Sequence, residues 1–88
     1  MIEQIVTVTN RAGIHARPAA VLVQAAKDFK ANIYLEKGRS RINAKSIMGI
    51  LTLAATYGAE LKLIVEGEDE QAALEAITYL FESKFEEE

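Results

Sequence analysis

One histidine lies where its ring could carry a phosphoryl group. His15 belongs to the segment Gly13-Ile14-His15-Ala16-Arg17-Pro18-Ala19, between a strand-like and a helix-like run. Pro18 suits the first turn of a helix, where a missing N–H costs nothing. We therefore expect His15 at a helix start, where unbonded N–H groups and the positive end of the helix dipole favour anions such as phosphate. Arg17 adds a guanidinium two residues further on.

The residues alone leave several roles open for this histidine. A lone histidine is often an ordinary surface or core residue, and a general base would need a partner that is not near in sequence. A metal site is disfavoured, because one histidine without cysteine lacks the usual ligands. As a nucleophile, a neutral imidazole could attack a phosphoryl group and hold it as a phosphoramidate. Arg17 and the helix start would then stabilise the phosphoryl charge.

Composition predicts the class of protein. The chain has 88 residues, half of them hydrophobic, which predicts a single domain spanning residues 1–88. It has no cysteine, no apolar run near the roughly 20 residues of a membrane span and no secretory signal at its start, so we expect a cytoplasmic protein without membrane insertion. The net charge of −3 and the acidic ending Glu86-Glu87-Glu88 argue against nucleic acid as a partner. No cofactor or metal is expected.

Hydrophobic periodicity and turn residues predict the order β-α-β-β-α-β-α. The predicted strands are Ile2–Thr9, Asn32–Glu36, Arg41–Asn43 and Glu60–Glu66. The first predicted helix runs from Ala16 to about Phe29. The second begins at Ile47, after an N-cap at Ser46, with a stop predicted at Gly58. The third follows an N-cap at Asp69, and its buried stripe consists of Ala73, Ile77, Leu80 and Phe81. This order favours an α+β open-faced β-sandwich, a mainly antiparallel four-stranded sheet with three helices on one face.

The second helix has more apolar surface than a core needs. Ile50 and Leu53 suit the core, whereas a second stripe consists of Ile47, Met48 and Leu51. Neighbouring loops could cover that stripe, but we favour an exposed docking patch, in which Met48 packs adaptably. The first helix would extend the patch through Ala20, Val21, Gln24 and Lys27.

Three segments resemble the HPr family, the histidine-containing phosphocarriers of the bacterial phosphoenolpyruvate-dependent sugar phosphotransferase system. They are Gly13-Ile14-His15-Ala16-Arg17-Pro18-Ala19-Ala20, Lys45-Ser46-Ile47-Met48-Gly49-Ile50 and Gly67-Glu68-Asp69-Glu70. The resemblance spans almost the whole chain. It implies that His15 accepts a phosphoryl group on Nδ1 from enzyme I and passes it to an enzyme IIA domain, with Arg17 as the assisting cation. The chain would then be a carrier and not an enzyme.

Ser46 has two interpretations. From position alone it is a helix N-cap. The resemblance implies that it is also a substrate of an ATP-dependent HPr kinase/phosphorylase, and that in some bacteria the phosphoserine form binds a catabolite-control transcription regulator. If the starts of the first two helices are neighbours, a phosphate on Ser46 would lie near Arg17 and oppose a second negative group at His15.

Two departures from the family pattern leave alternative functions possible. Ala12 stands where the family often has a serine or asparagine that caps or orients the active-site loop, and the ending Phe85-Glu86-Glu87-Glu88 is more typical of HPr-like proteins with regulatory roles. The alternatives are a mainly regulatory protein, in which Ser46 phosphorylation selects partners, and an unrelated small α+β interaction domain. We expect a monomer.

Overall fold

The secondary structure of the chain follows its hydrophobic pattern closely. The computed structural model describes residues 1–86, so Glu87 and Glu88 of the acidic ending lie outside the described residues. The elements in chain order are β1 (Ile2–Thr7), α1 (Ala16–Lys27), β2 (Asn32–Lys37), β3 (Ser40–Asn43), α2 (Ile47–Leu53), β4 (Glu60–Glu66) and α3 (Glu70–Glu82). The strands form one sheet in the order β1-β4-β2-β3, and each neighbouring pair is antiparallel. The predicted α+β fold is confirmed.

One side of the sheet and the apolar stripes of the helices form the core. Most buried positions alternate along the strands, as the two-residue period of a sheet requires, and recur every three or four residues along the helices. Ile64 in β4 is buried as well, between two such positions. They include Ile33, Leu35, Leu61, Leu63, Val65, Ala19, Leu22, Ala26, Ile50, Ala73, Ile77 and Phe81. Leu80, which was predicted in the buried stripe of α3, is only half-buried. Within residues 1–86, no helix combines the length and apolar character needed to cross a bilayer.

Several element ends differ from the sequence-based expectation. Three differ by one or two residues, since α1 ends at Lys27, β2 ends at Lys37 and β3 begins at Ser40. The ends of β1 and α2 differ for a structural reason. β1 ends at Thr7, two residues early, because Val8 bonds irregularly: its N–H donates to Ala59 O at 2.9 Å and its carbonyl accepts from Gly58 N at 2.8 Å. The predicted stop of α2 at Gly58 is wrong. The helix ends at Ala54, which takes the left-handed conformation (φ 53°, ψ 44°) and donates its N–H to Leu51 O. Gly58 lies instead in the turn before β4.

Asp69 occupies the predicted cap position but does not cap α3 with its side chain. Its carboxylate accepts hydrogen bonds from the Lys30 and Ala31 N–H groups, each at 2.8 Å, and so joins the segment after α1 to the start of α3. The Lys30 N–H bond lowers the pKa of Asp69, with further lowering by the Ala31 N–H and the Lys45 charge and an opposing effect of desolvation. Gly67 permits the close approach, since a Cβ there would lie 2.7 Å from Ala31 Cα.

Candidate functional site

His15 is the N-cap residue of α1. Its backbone is extended (φ −102°, ψ −163°), its side chain is exposed, and it makes no side-chain capping bond. The first intrahelical bond runs from Ala19 N–H to His15 O at 3.0 Å. The predicted location of His15 at a helix start is therefore confirmed, with the imidazole on the solvent side of the sheet–helix core.

The first turn of α1 has two backbone donors directed towards its open end. Within residues 1–86, the N–H groups of Ala16 and Arg17 have no hydrogen-bond acceptor, and Pro18 at the third helical position has no N–H to satisfy. No acidic residue lies in this turn. The helix dipole adds positive potential at the same end, so the start of α1 favours an anion beside His15.

The Arg17 guanidinium adds the positive charge of a side chain. Arg17 is exposed in the first turn of α1, and in the described part of the chain no ion pair or hydrogen bond engages its side chain. A guanidinium presents several N–H donors in a plane that matches the oxygens of a phosphoryl group. Arg17 can therefore swing to a phosphoryl group without first breaking an intramolecular bond.

The loop before His15 is held from two sides. The Gly13 N–H donates to Asn10 O at 3.1 Å, and the Asn10 side-chain amide donates to Gly13 O at 2.7 Å. On the other side, Ile14 N–H donates to Ala55 O at 2.9 Å. Gly13 has φ +76°, and a Cβ there would lie 2.9 Å from Ala55 O, so only glycine fits without movement of the backbone. Asn10 was not among the candidate residues from the sequence. Its spacing from Gly13, as the first and fourth positions of a turn, is the signal that could have identified it.

Ser46 caps α2. Its Oγ accepts the Gly49 N–H at 3.1 Å, and the residue is exposed. The structural interpretation of Ser46 as an N-cap is therefore confirmed. A hydroxyl in this position is accessible from solvent and lies at the positive end of α2.

The start of α1 lies beside the end of α2, and not beside its start. The loop before α1 bonds to Ala55, just beyond the end of α2, whereas Lys45 before α2 donates through Nζ to Phe29 O, just beyond the end of α1, at 2.8 Å. The two helices therefore run antiparallel. Since α2 has 7 residues, about 10 Å of helix separates Ser46 from the His15 loop at 1.5 Å per residue.

The second apolar stripe of α2 is exposed at two of its three positions. Ile47 is 41% exposed and Met48 66%, whereas Leu51 is half-buried and packs against the core. On the adjacent helix α1, Val21 is 38% exposed, and Ala20, Gln24 and Lys27 are exposed as well. Two packed helices thus each present side chains to solvent. We call the exposed residues of this face the helical surface: Ala20, Val21, Gln24, Lys27, Ile47 and Met48.

Acidic and histidine side chains do not form a metal centre in the described residues. Among residues 1–86, no group of three His, Cys, Asp or Glu side chains lies close enough to hold a metal ion.

Comparisons with known proteins agree with this geometry. Residues 2–83 match the family model described as the PTS HPr component phosphorylation site. The chain is 58% identical to the phosphocarrier protein HPr of Treponema pallidum over 100% of both chains. It is also 49% identical to the HPr-like protein Crh of Bacillus subtilis, over 88% of this chain and 91% of that protein.

Solved structures show the same fold. A structure of HPr-C-His from Thermoanaerobacter tengcongensis superposes with a TM-score of 0.96 at 48% identity, over 100% of this chain and 99% of the other. A structure described as an HPr dimer from the same organism gives 0.78 at 47% identity, over 97% and 98% of the chains, so the expectation of a monomer stays a prediction. This chain belongs to the HPr family of the phosphotransferase system, whose members are phosphocarriers and not enzymes.

Proposed function

We propose that His15 of this chain accepts a phosphoryl group from phosphorylated enzyme I and passes it to an enzyme IIA domain. The observation that carries the proposal is the exposed His15 at the start of α1, beside two unbonded N–H groups and the Arg17 guanidinium. The chain would act as a single domain in the cytoplasm. It would act as a monomer, because every group named in the transfer belongs to one copy.

In the proposed transfer, the lone pair of His15 Nδ1 forms a bond to phosphorus while the bond between phosphorus and the donor breaks. The Nδ1 atom must be deprotonated for this attack, and the phosphoryl group arrives with its negative charge. Arg17 and the N–H groups of Ala16 and Arg17 stabilise that charge while it resides on the ring. Reversal of the same step on the acceptor side releases the phosphoryl group and restores neutral His15.

We also propose that the helical surface docks the partners and that Ser46 controls it. Phosphorylation of Ser46 by an HPr kinase/phosphorylase would add about two negative charges at the start of α2, next to exposed Ile47 and Met48. Because Ser46 lies about 10 Å of helix from the His15 loop, a distance comparable to the screening length of about 8 Å at physiological salt, the phosphate would act mainly on docking.

The second candidate is a mainly regulatory protein in which the phosphorylation state of Ser46 selects the partner, such as a catabolite-control regulator. Two observations favour it: the 49% identity to the HPr-like protein Crh, and Ala12, whose methyl group cannot orient the His15 loop by hydrogen bonding. The His15–Arg17 site argues for retention of the relay.

A labelling experiment tests both candidates. The protein is incubated with phosphoenolpyruvate and enzyme I, and phosphohistidine is followed by phosphorus NMR in the wild type and in His15→Ala. We expect an acid-labile signal only in the wild type; equal labelling of His15→Ala would rule out this carrier site. In a second arm with ATP and an HPr kinase, acid-stable label should appear in the wild type and disappear in Ser46→Ala. Label in the second arm alone would favour the regulatory candidate.

A further inference from the structure

The buried side chain of Asn10 connects the end of the first strand to the backbone of His15. Among residues 1–86, Asn10 is the one polar side chain in the buried class, with 1% of its surface exposed. Its amide donates to Gly13 O at 2.7 Å, and the His15 N–H donates to the same carbonyl oxygen at 3.2 Å. One acceptor therefore joins the Asn10 side chain to the backbone of the phosphoryl acceptor.

This shared acceptor is the carbonyl of the Gly13–Ile14 peptide, which lies one peptide before the one that leads into His15. The Gly13 N–H bond to Asn10 O closes a four-residue turn, and the His15 N–H bond to Gly13 O closes a three-residue turn. A glycine at φ +76° has no side chain that would resist rotation of its peptide plane. The Asn10 amide resists that rotation at the carbonyl end of the peptide, because rotation would leave a buried donor without its acceptor. At the other end of the same peptide, the Ile14 N–H bond to Ala55 O resists it as well.

The same contact defines which N–H groups face an anion. With its N–H committed to Gly13 O, His15 enters α1 in an extended conformation, and the donors of Ala16 and Arg17 are left at the open end. If the Gly13 carbonyl turned away, the His15 N–H and the imidazole would turn with it. A displacement of about 1 Å at a reacting group can cost on the order of 100-fold in rate.

We propose that Asn10 is the positioning residue of the phosphotransfer site, fixing the His15 ring through the Gly13 carbonyl. It supplies from beneath the loop the orientation that the methyl group of Ala12 cannot supply at the surface. This inference rests on the proposed function of His15 as phosphoryl acceptor. It assigns to Asn10 no contact with the phosphoryl group.

The test compares two variants of Asn10 with a matched control on the neighbouring residue. Asn10→Ala removes the amide, and Asn10→Asp keeps the side-chain size but places a carboxylate oxygen where the donor stood. The control is Thr9→Val, which removes another side-chain-to-backbone bond, from Thr9 Oγ1 to Phe81 O at 2.7 Å, but one that leads to α3 and not to the His15 loop. All measurements are made at a temperature where circular dichroism shows each variant folded.

We expect kcat for transfer from enzyme I to fall about 10-fold or more in both Asn10 variants, with KM within about twofold of the wild type, since the helical surface is unchanged. The ring signals of His15, the one histidine in the chain, should shift in proton and nitrogen spectra. Thr9→Val should leave kcat and the ring signals at wild-type values even if its melting temperature falls. Asn10 variants that match Thr9→Val in both readouts would show that Asn10 is only structural and would overturn the proposal.

The ring spectrum separates this inference from the proposed function. If enzyme I does not phosphorylate the wild type, the proposed function fails, but the spectra of the unphosphorylated protein still report whether Asn10 orients His15. If the wild type is phosphorylated and Asn10→Ala reacts at the same rate with unchanged ring signals, the proposed function stands and the role of Asn10 is wrong.

Discussion

The starts of α1 and α2 differ in how the N–H groups of the first turn are satisfied. Each helix begins with unpaired N–H groups that need acceptors. At α2, Ser46 accepts the Gly49 N–H with its own Oγ. At α1, His15 occupies the equivalent position without a side-chain capping bond, and the next two N–H groups have no acceptor within residues 1–86.

This difference separates a stabilised helix start from a start prepared for a ligand. A helix that caps itself gains stability at once, whereas a helix left open gains it only when an anion arrives. The open start of α1 is compensated elsewhere, because its loop is anchored to Asn10 and to Ala55. A helix start that is rigid but uncapped is thus a stronger indication of anion chemistry than a histidine alone.

The largest expected effect concerns the open start. Arg17→Ala should lower the rate of phosphotransfer about 100-fold, as removal of one charge-stabilising donor does in other sites, with little change in melting temperature because Arg17 is exposed. Rapid-quench kinetics with labelled enzyme I measures the rate. Arg39→Ala, which removes an exposed guanidinium from the turn between β2 and β3, is the control. An equal drop in the rates of the two variants would show that the net charge of the protein, and not the Arg17 guanidinium in particular, determines the rate.

The next effect concerns docking beside the capped start. Met48→Asp should weaken binding to enzyme I about 10-fold, because an exposed apolar anchor becomes a charge, a loss typical of interface residues. The fold should survive, since Met48 is 66% exposed. Titration calorimetry measures the affinity. Ile5→Asp, at a β1 residue 55% exposed and outside the helical surface, should bind like the wild type. Unfolding of Met48→Asp would instead place Met48 in the core.

A smaller effect measures the cap itself. Ser46→Ala should lower the free energy of unfolding by about 1 kcal/mol, the usual cost of a lost N-cap, and leave transfer to His15 unchanged. Urea denaturation provides the measurement, with Ser40→Ala in the exposed part of β3 as control. His15→Ala removes no capping bond from α1. A loss of stability in His15→Ala as large as in Ser46→Ala would contradict the contrast between the two starts.

The smallest effect concerns α3, where the carboxylate at the cap position bonds to the loop after α1. Because hydrogen bonding by Lys30 N–H lowers the pKa of Asp69 in the folded state, the ionised form stabilises the protein. That contribution is present above the unfolded pKa of about 3.9 and is lost as pH falls through the lower folded pKa. In urea titrations between pH 7 and pH 2, Asp69→Asn should be less stable than the wild type at neutral pH. The difference should shrink below about pH 4; a constant difference would contradict it.

Much of the fold follows from local pattern. The bounds of β4, the start of α1 and the Ser46 cap agree with the sequence-based predictions, because each depends on alternation, a proline or a capping side chain. The end of α2 did not, because Ala54 takes a left-handed conformation that glycine usually adopts. Tertiary contacts, and not local preference, determine that position.

The missing parts of the site are contacts between segments distant in sequence. Nothing local indicates that Ile14 bonds to Ala55, so the antiparallel arrangement of α1 and α2 was not predicted. The bond from Lys45 Nζ to Phe29 O likewise joins two segments that no local pattern connects. His15, Arg17 and Ser46 could be identified as candidates because the residues adjacent to them in sequence indicate their roles. The role of Asn10 depends on a contact that forms only in the folded loop.

The bond from Ile14 N–H to Ala55 O has a consequence for amide hydrogen exchange. It joins the residue before His15 to the segment after α2, so a local opening that detaches the short α2 also exposes the Ile14 amide to solvent. A partner protein bound at Met48 would prevent the local opening of α2 and slow the exchange of the Ile14 amide, although it contacts neither atom of the hydrogen bond. The Ile14 amide therefore reports, from inside the phosphoryl-acceptor loop, whether a partner is bound outside it.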